Sequence, residues 1–363
     1  MRSRPSLRTR SGYRFTGEPP DGRPPASIHQ ACGQQRATMH IPDGFLDTKT
    51  AVAAGAFSAT GVGYALNRVR LESHQVPLMG VAAAFVFAAQ MLNFPVAGGT
   101  SGHLVGAVLA SVLLGPSAAI IVLTAVIVVQ SLLFADGGIL ALGANVLNMG
   151  LVGCLSGYGI YRAVRFVVRG ESGRFLAIGF ASWCSTVLAS LMCSAELSWS
   201  GVVSWNHIVP VMTNIHMVIG VGEGVITMLI VAAIWRVRPE LLDAQEGIRA
   251  RLGYTETIVY GLLIALSLIL FVLPFASKLP DGLQRVASRL GFDTRVAATG
   301  SPLAGYQIPG IGSLTAATAL AGAVGALVVF GLSFILARVI VRKSRPSSTR
   351  PSATPDPHAT RLS

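Results

Sequence analysis

Charged residues are scarce in this chain. Asp, Glu, Lys and Arg make up 12% of the 363 residues, whereas 52% are hydrophobic, and a soluble domain has about 25% charged residues. This composition excludes a soluble enzyme as the default interpretation. Only helices and closed barrels satisfy all backbone polar groups in hydrocarbon, and long apolar runs favour helices. The sequence therefore predicts an all-α, polytopic transmembrane helical bundle.

Several sequence motifs of enzymes are also missing. The chain contains no G-x-x-x-x-G-K-[ST] loop, which excludes Walker-type binding of ATP, and no H-E-x-x-H, which argues against an intramembrane metalloprotease. It has four cysteines and no CxxC spacing, and Cys154, Cys184 and Cys193 lie within apolar runs. Such buried thiols behave as small apolar side chains, so no chemistry is assigned to them.

Nine candidate spans follow one another: seven towards the N-terminus, one of them short, and two towards the C-terminus. They lie near residues 48–67, 77–93, 103–114, 117–134, 144–164, 175–195, 210–236, 256–276 and 314–340. The short third span follows a Gly-rich stretch at 93–102, which we expect to be a re-entrant loop, because irregular backbone at membrane depth needs surrounding protein or a cavity. This loop is the first candidate for a binding site.

Positive charge predicts the orientation, because cytoplasmic loops carry the excess of Lys and Arg. Basic clusters follow spans 1, 5, 7 and 9, whereas the loops after spans 2, 4 and 6 have no Lys or Arg. Residue 40 is therefore expected outside a plasma (inner) membrane and the C-terminus inside. The basic composition needs no nucleic-acid partner, since topology explains it.

The two ends of the chain differ from the rest. Residues 1–38 hold seven arginines and no apolar signal-peptide core, so we expect them to be disordered or absent, with the working chain beginning at Met39. We predict that residues 343–363 are a disordered basic tail. Between these ends we predict a membrane domain at 39–238, a cytoplasmic linker at 239–255 and a two-span domain at 256–342.

A metal site is predicted where Met39 and His40 begin the working chain. The Met39 amine, the His40 amide nitrogen and the His40 imidazole can reach one metal ion through two chelate rings. Such nitrogen donors suit Ni²⁺ or Cu²⁺, and Co²⁺ in some settings. His103 follows the Gly-rich stretch on the same predicted side and is the expected fourth donor, although a lone buried His is more often a hydrogen-bonded core residue.

Further polar residues in or near the spans are costly in lipid, so they are expected to face the bundle interior. They could orient the ligating imidazoles or the loop, and hydrogen bonding between helices is an equal alternative for each. The residues in question are Gln90, Asn93, Asn145, Asn148, His216 and Glu223.

Four motifs resemble the CbiM/NikM family, the substrate-specific membrane components of energy-coupling-factor (ECF) transporters for cobalt and nickel. They are MHIPDGFL from 39, FVFAAQMLNFPVAGGTSGHLVGAVLA at 85–110, ALGANVLNMG at 141–150 and NIHMVIGVGEG at 214–224. The resemblance implies that Met39, His40 and His103 supply the four nitrogen ligands. A second resemblance, in Leu279-Pro280-Asp281-Gly282-Leu283, is to the PDGL-type (NikN-like) small subunit of nickel transporters, although Pro-Asp-Gly alone is common in turns.

These resemblances imply a non-catalytic subunit that captures Ni²⁺ or Co²⁺ as transported substrate from outside and passes it inward. ATP would be bound and hydrolysed by separate ECF-type ATPase subunits, and a coupling transmembrane subunit would complete the transporter. The PDGL-like part favours nickel. The alternative is an ion-coupled secondary transporter or channel for divalent metal, against which the sparse intramembrane carboxylates and the lack of an evident inverted repeat argue.

Overall fold

The computed structural model describes residues 40–239, 253–297 and 300–344. The predicted leader with Met39, most of the predicted linker, and the tail beyond residue 344 lie outside the described residues.

Helices dominate the described part of the chain. The N-terminal part contains α1 (Thr48–Arg68), α2 (Gln75–Gln90), β1 (Phe94–Val96), β2 (Thr100–Gly102), α3 (Ala107–Leu114), α4 (Pro116–Phe134), α5 (Leu142–Asn145), a π-helical stretch (Val146–Val152), α6 (Gly153–Val167), α7 (Gly170–Trp199) and α8 (Trp205–Val237). The C-terminal part contains α9 (Tyr254–Ser267), a π-helical stretch (Leu268–Val272), 3₁₀ turns (Leu273–Phe275 and Asp293–Arg295), α10 (Gly282–Leu290) and α11 (Leu314–Ser344).

Among the described residues, five apolar segments are long enough to cross a membrane: α4, α7, α8, α9 with its continuation to Phe275, and α11. A mostly helical, multi-pass membrane protein is thus confirmed, while the count of nine spans stays a prediction. The Gly-rich stretch adds a small departure from all-α structure. It forms an antiparallel β-hairpin in which Phe94 pairs with Gly102 and Val96 with Thr100, and Gly98 and Gly99 turn it at positive φ.

Helix α2 lies at the centre of the bundle. It is apolar around its whole circumference and most of its side chains are buried, as expected for a helix covered on all sides. It packs against α4 in the N-terminal part and against α9 and α11 in the C-terminal part. The two parts of the chain therefore share one hydrophobic core, in which Phe87, Phe134 and Tyr306 form a ring cluster.

The predicted fifth span is helical throughout, from α5 to α6, and its middle section is the π-helical stretch. Asn145 ends α5 and Asn148 lies within the stretch. The wider π turn changes the direction of successive side chains, and such turns occur often at functional sites. Both Asn side chains are buried, which confirms that they face the bundle interior.

Two glycines of α11 allow a test of this shared core. A Cβ at Gly325 would collide with the rings of Phe87 and Phe134, whereas one at Gly331 would meet no atom within 4 Å. Because overpacking a filled core costs about 1–3 kcal/mol, Gly325→Ala should lower the thermal unfolding midpoint in detergent. Gly331→Ala, the control on the same helix, should leave it unchanged or slightly raised; equal midpoints for the two variants would contradict this packing.

Candidate metal site

The segment at residues 40–45 is buried in the bundle except at Gly44. The relative exposures of His40, Ile41 and Phe45 are only 3%, 2% and 3%. Asn145 holds the segment by a pair of bonds: the Ile41 amide donates to Asn145 Oδ1 at 2.9 Å, and Asn145 Nδ2 donates to the Ile41 carbonyl at 3.0 Å. Because the Asn145 side chain bonds both backbone groups of Ile41, it also fixes the position of the preceding residue, His40.

Asp43 fixes the other end of this segment. Its carboxylate accepts hydrogen bonds from the amides of Ile139, Leu140 and Ala141 at 3.1, 2.8 and 3.3 Å. Carboxylates that accept backbone N–H groups make strong, charge-assisted bonds. The loop at 136–141, which follows α4, is therefore tied to the segment that carries His40.

His40 lies against a buried acid in that loop. Its Nδ1 is 3.1 Å from Asp136 Oδ1, and Asp136 Oδ2 accepts a 2.6 Å hydrogen bond from the Tyr306 hydroxyl. Among the described residues, His40 Nε2 has no hydrogen-bond partner and is buried. A buried nitrogen with no partner is costly and marks a position where a ligand would be stabilised.

His103 lies in the connection between β2 and α3. Its ring centroid is 6.1 Å from that of His40. Two buried side chains hold this connection: Gln90 Nε2 donates to the Val105 carbonyl at 2.9 Å, and Glu223 Oε1 accepts from the amides of Val105 and Gly106 at 3.0 and 3.2 Å. His103 is thus presented by a loop whose backbone is fixed from α2 and α8.

A cavity of about 90 Å³ lies between the two histidines. Polar and sulfur-bearing side chains line it together with apolar ones; the former include Asn145, Asn148, Met149, Thr186, Cys193, Met212, His216 and Asp281. The volume fits a metal ion or a few water molecules rather than an organic substrate, for which pockets of about 300–1,000 Å³ are usual.

The PDGL motif closes one side of this cavity. The Ser101 amide and the Thr100 hydroxyl of β2 donate to the Pro280 carbonyl at 2.8 and 3.0 Å. Asp281 caps α10 by accepting from the Gln284 amide at 2.8 Å, so the motif begins a helix rather than forming an ordinary turn. Burial raises the pKa of Asp281 to about 7.

Most of the residues singled out from sequence meet around this cavity. His40, His103, Asn145, Asn148 and His216 line it. Gln90 and Glu223 hold the His103 loop, as described above, whereas Asn93 is not among the lining residues. Met39 lies outside the described residues.

Sequence reasoning missed Asp136 and Tyr306. The signal for Asp136 was present: a single acid directly after a span, next to two glycines, in a loop without basic residues. Nothing in the sequence marks Tyr306, because its role depends on a contact between distant parts of the chain. Within the described part, no three His, Cys, Asp or Glu side chains are placed to hold a metal ion, so a full coordination shell requires other donors.

Comparisons with known proteins agree with this architecture. The family model for the cobalt uptake substrate-specific transmembrane region CbiM matches residues 40–241, and the PDGLE domain model matches residues 255–342. A protein of Archaeoglobus fulgidus, provisionally named fused nickel transport protein NikMN, is 37% identical over 83% of this chain and 98% of its own length. The fused nickel transport protein NikMN of Rhodobacter capsulatus is 34% identical over 56% of this chain and 64% of its own length.

A solved structure of a transition metal transporter also matches. It is 34% identical, with a TM-score of 0.52, and the match covers 58% of this chain and all of that one.

Glu223 provides a test of how the His103 loop is held. Glu223→Ala would leave the Val105 and Gly106 amides without their acceptor, and each unsatisfied buried donor costs about 1–3 kcal/mol. We expect a clear fall in the thermal unfolding midpoint of Glu223→Ala. Glu223→Gln keeps Oε1 as an acceptor, so its midpoint should lie close to that of the unmodified protein. Glu171→Ala, on the exposed first turn of α7, is the control; a Glu223→Ala midpoint equal to the control's would contradict the assigned role.

Proposed function

Because the chain belongs to the CbiM family of substrate-specific transmembrane regions and continues into a PDGLE domain, we propose that it captures Ni²⁺ or Co²⁺ from outside at the His40–His103 site. The protein is a multi-pass, non-catalytic component of a nickel or cobalt transporter. The observation that carries the proposed site is the meeting of the buried His40 and the partly buried His103, from separate parts of the chain, at one small cavity.

The distance between the two rings supports shared coordination. Metal–imidazole nitrogen bonds are about 2 Å long, so the ring centroids of two imidazoles on one ion are at most about 6.5 Å apart. The 6.1 Å between the centroids of His40 and His103 lies within that limit. In the proposed plane the two imidazoles occupy adjacent positions, where their centroids would be about 4.5 Å apart, so the rings must move closer together when the ion binds.

We propose that the remaining ligands are the Met39 amine and the His40 amide nitrogen, with Met39 as the N-terminus of the working chain. A five-membered and then a six-membered chelate ring would join the amine, the amide and His40 Nδ1, and His103 would fill the fourth position of a plane. Nδ1 faces Asp136 in the structure, so formation of the chelate requires that Nδ1 leave Asp136.

Nickel is the favoured substrate in this proposal. Ni²⁺ suits planar nitrogen ligands, whereas Mg²⁺ and Ca²⁺ prefer oxygen. The PDGLE domain and the names of the two fused relatives point the same way. Cobalt is the second candidate, because the family model is described for cobalt uptake.

Family membership implies ECF-type partners, and we propose that these are ATPase subunits and a coupling transmembrane subunit. The partners would supply the ATP hydrolysis that drives transport. The surface offers large exposed apolar side chains on α1, α6 and α8, such as Phe57, Phe166 and Leu229, for contact with lipid or such a subunit. An ion-coupled transporter or channel is the alternative; metal uptake that persists when the ATPase is inactivated would favour it.

The orientation with residue 40 outside is also part of the proposal. The basic ends of α1, α6, α8 and α11 carry Arg68, Arg165, Arg236 and Arg342. The site lies near the opposite ends of this bundle, beside the C-terminal end of α4 and the residues that precede α11. Under the positive-inside rule, the metal cavity is then on the outer side.

His103→Ala should abolish high-affinity Ni²⁺ binding while the protein stays folded. The substitution removes one ligand, which should cost more than the 10–100-fold or so that is typical for loss of a residue that only orients a ligand. A Ni²⁺ titration of purified protein, with the unfolding midpoint measured in parallel, tests this. His207→Ala is the matched control, since His207 is exposed and bonds Ser204 at the start of α8; unchanged affinity in His103→Ala would remove His103 from the site.

A further inference from the structure

The PDGLE domain takes part, through Tyr306, in the hydrogen bonds around His40. The Tyr306 hydroxyl donates to Asp136 Oδ2 at 2.6 Å, and Asp136 Oδ1 is 3.1 Å from His40 Nδ1. All three residues are at least nine-tenths buried, with relative exposures of 8%, 2% and 3%. A continuous buried chain of hydrogen bonds therefore joins the C-terminal domain to a proposed metal ligand.

The segment that carries Tyr306 is fixed to the end of α4 directly before Asp136. The Leu303 amide donates to the Leu133 carbonyl at 2.9 Å and the Gly305 amide to the Phe134 carbonyl at 2.8 Å. The Tyr306 ring also stacks on Phe134, with centroids 4.6 Å apart and planes 16° apart. These contacts leave the hydroxyl little freedom to move away from Asp136.

Tyr306 also adopts a backbone conformation that is rare for its residue type. Its φ is +57°, which is uncommon for a bulky residue and persists only where surrounding contacts enforce it. Burial, with Asp136 close by, raises the pKa of the Tyr306 hydroxyl well above its ordinary value. The hydroxyl therefore remains a hydrogen-bond donor.

We infer that Tyr306 is a positioning residue for metal binding: it fixes the Asp136 carboxylate, which in turn orients the His40 imidazole. The inference rests on the proposed function. Metal-ligating histidines almost always donate their second ring N–H to a carboxylate, a carbonyl or water, which sets the tautomer and the basicity of the ligand. Asp136 is the group placed to accept that bond from His40.

Asp136 and Tyr306 also accommodate the rotation of the His40 ring that the proposed chelate needs. A half-turn of the imidazole about its Cβ–Cγ bond would take Nδ1 away from Asp136 and bring Nε2 to the side of the ring that faces it. Nε2 would then take the place of Cε1, so with a small shift of the ring Nε2–H would donate to Asp136 while Nδ1 binds the metal. With the carboxylate fixed by Tyr306, one orientation serves the metal-free protein and the other the metal-bound protein.

The inference assigns a direct role to the fusion of the two domains. The carboxylate that orients His40 belongs to the CbiM part, and the hydroxyl that fixes this carboxylate belongs to the PDGLE part. Loss of the hydroxyl should weaken metal binding because Tyr306 acts on His40 through Asp136. The PDGLE domain would thus tune metal affinity through one hydrogen bond, in addition to closing the cavity with its PDGL motif.

Tyr306→Phe tests this by removing only the hydroxyl and keeping the ring packed on Phe134. We expect Ni²⁺ affinity of the chain that begins at Met39 and keeps both domains to fall about 10-fold or more and the ligand-field absorption of bound Ni²⁺ to shift, with nearly unchanged gel-filtration behaviour. Tyr260→Phe, on the exposed face of α9, is the control and should match the unmodified protein in affinity and spectrum.

A double-mutant cycle with Asp136→Ala distinguishes positioning from packing. If Tyr306 acts through Asp136, Tyr306→Phe should have no further effect on affinity in the Asp136→Ala background, because coupled residues are not additive. Additive losses, or full affinity and an unchanged spectrum in Tyr306→Phe, would overturn the inference. Failure of the proposed function would show differently: the unmodified protein would bind no Ni²⁺, or His103→Ala would bind it normally.

Discussion

Burial of a polar segment inside an apolar bundle is the constraint on which the rest of the structure depends. Backbone and imidazole groups at residues 40–43 have lost contact with bulk water, and each would cost several kcal/mol in hydrocarbon without a partner. Asn145, Asp43 and Asp136 supply the partners. These bonds fix the loop after α4 and the π-helical stretch around the segment, and the small cavity lies beside the His40 imidazole that they hold.

The C-terminal domain completes this arrangement. It covers α2 with α9 and α11, closes the cavity with the residues around Asp281, and reaches Asp136 with Tyr306. The Asp43 carbonyl also accepts a bond from the Ala297 amide, so the Asp43 end of the buried segment contacts this domain directly, and the His40 end is joined to it through Asp136. A metal-binding membrane component and its small companion are therefore joined here by covalent linkage and by a common set of buried polar contacts.

The sequence predicted the membrane class, the helical architecture and the meeting of His40 with His103, because apolar runs and family motifs are local signals. It did not predict the β-hairpin, since three-residue strands carry too little pattern and Gly98 and Gly99 suggest only irregular backbone. Asp136 and Tyr306 were missed for another reason. Their importance arises from a bond across 170 positions of the chain, which hydropathy and spacing do not encode.

The central claim is that the metal is held by a chain that begins at Met39, with a free amine beside His40. The most direct test is a Ni²⁺ titration of two purified forms, one beginning at Met39 and one that retains residues 1–38. Retaining residues 1–38 converts the amine into a peptide bond and removes one nitrogen ligand. The account predicts high affinity for the first form and a large loss for the second; equal affinity would contradict the N-terminal chelate.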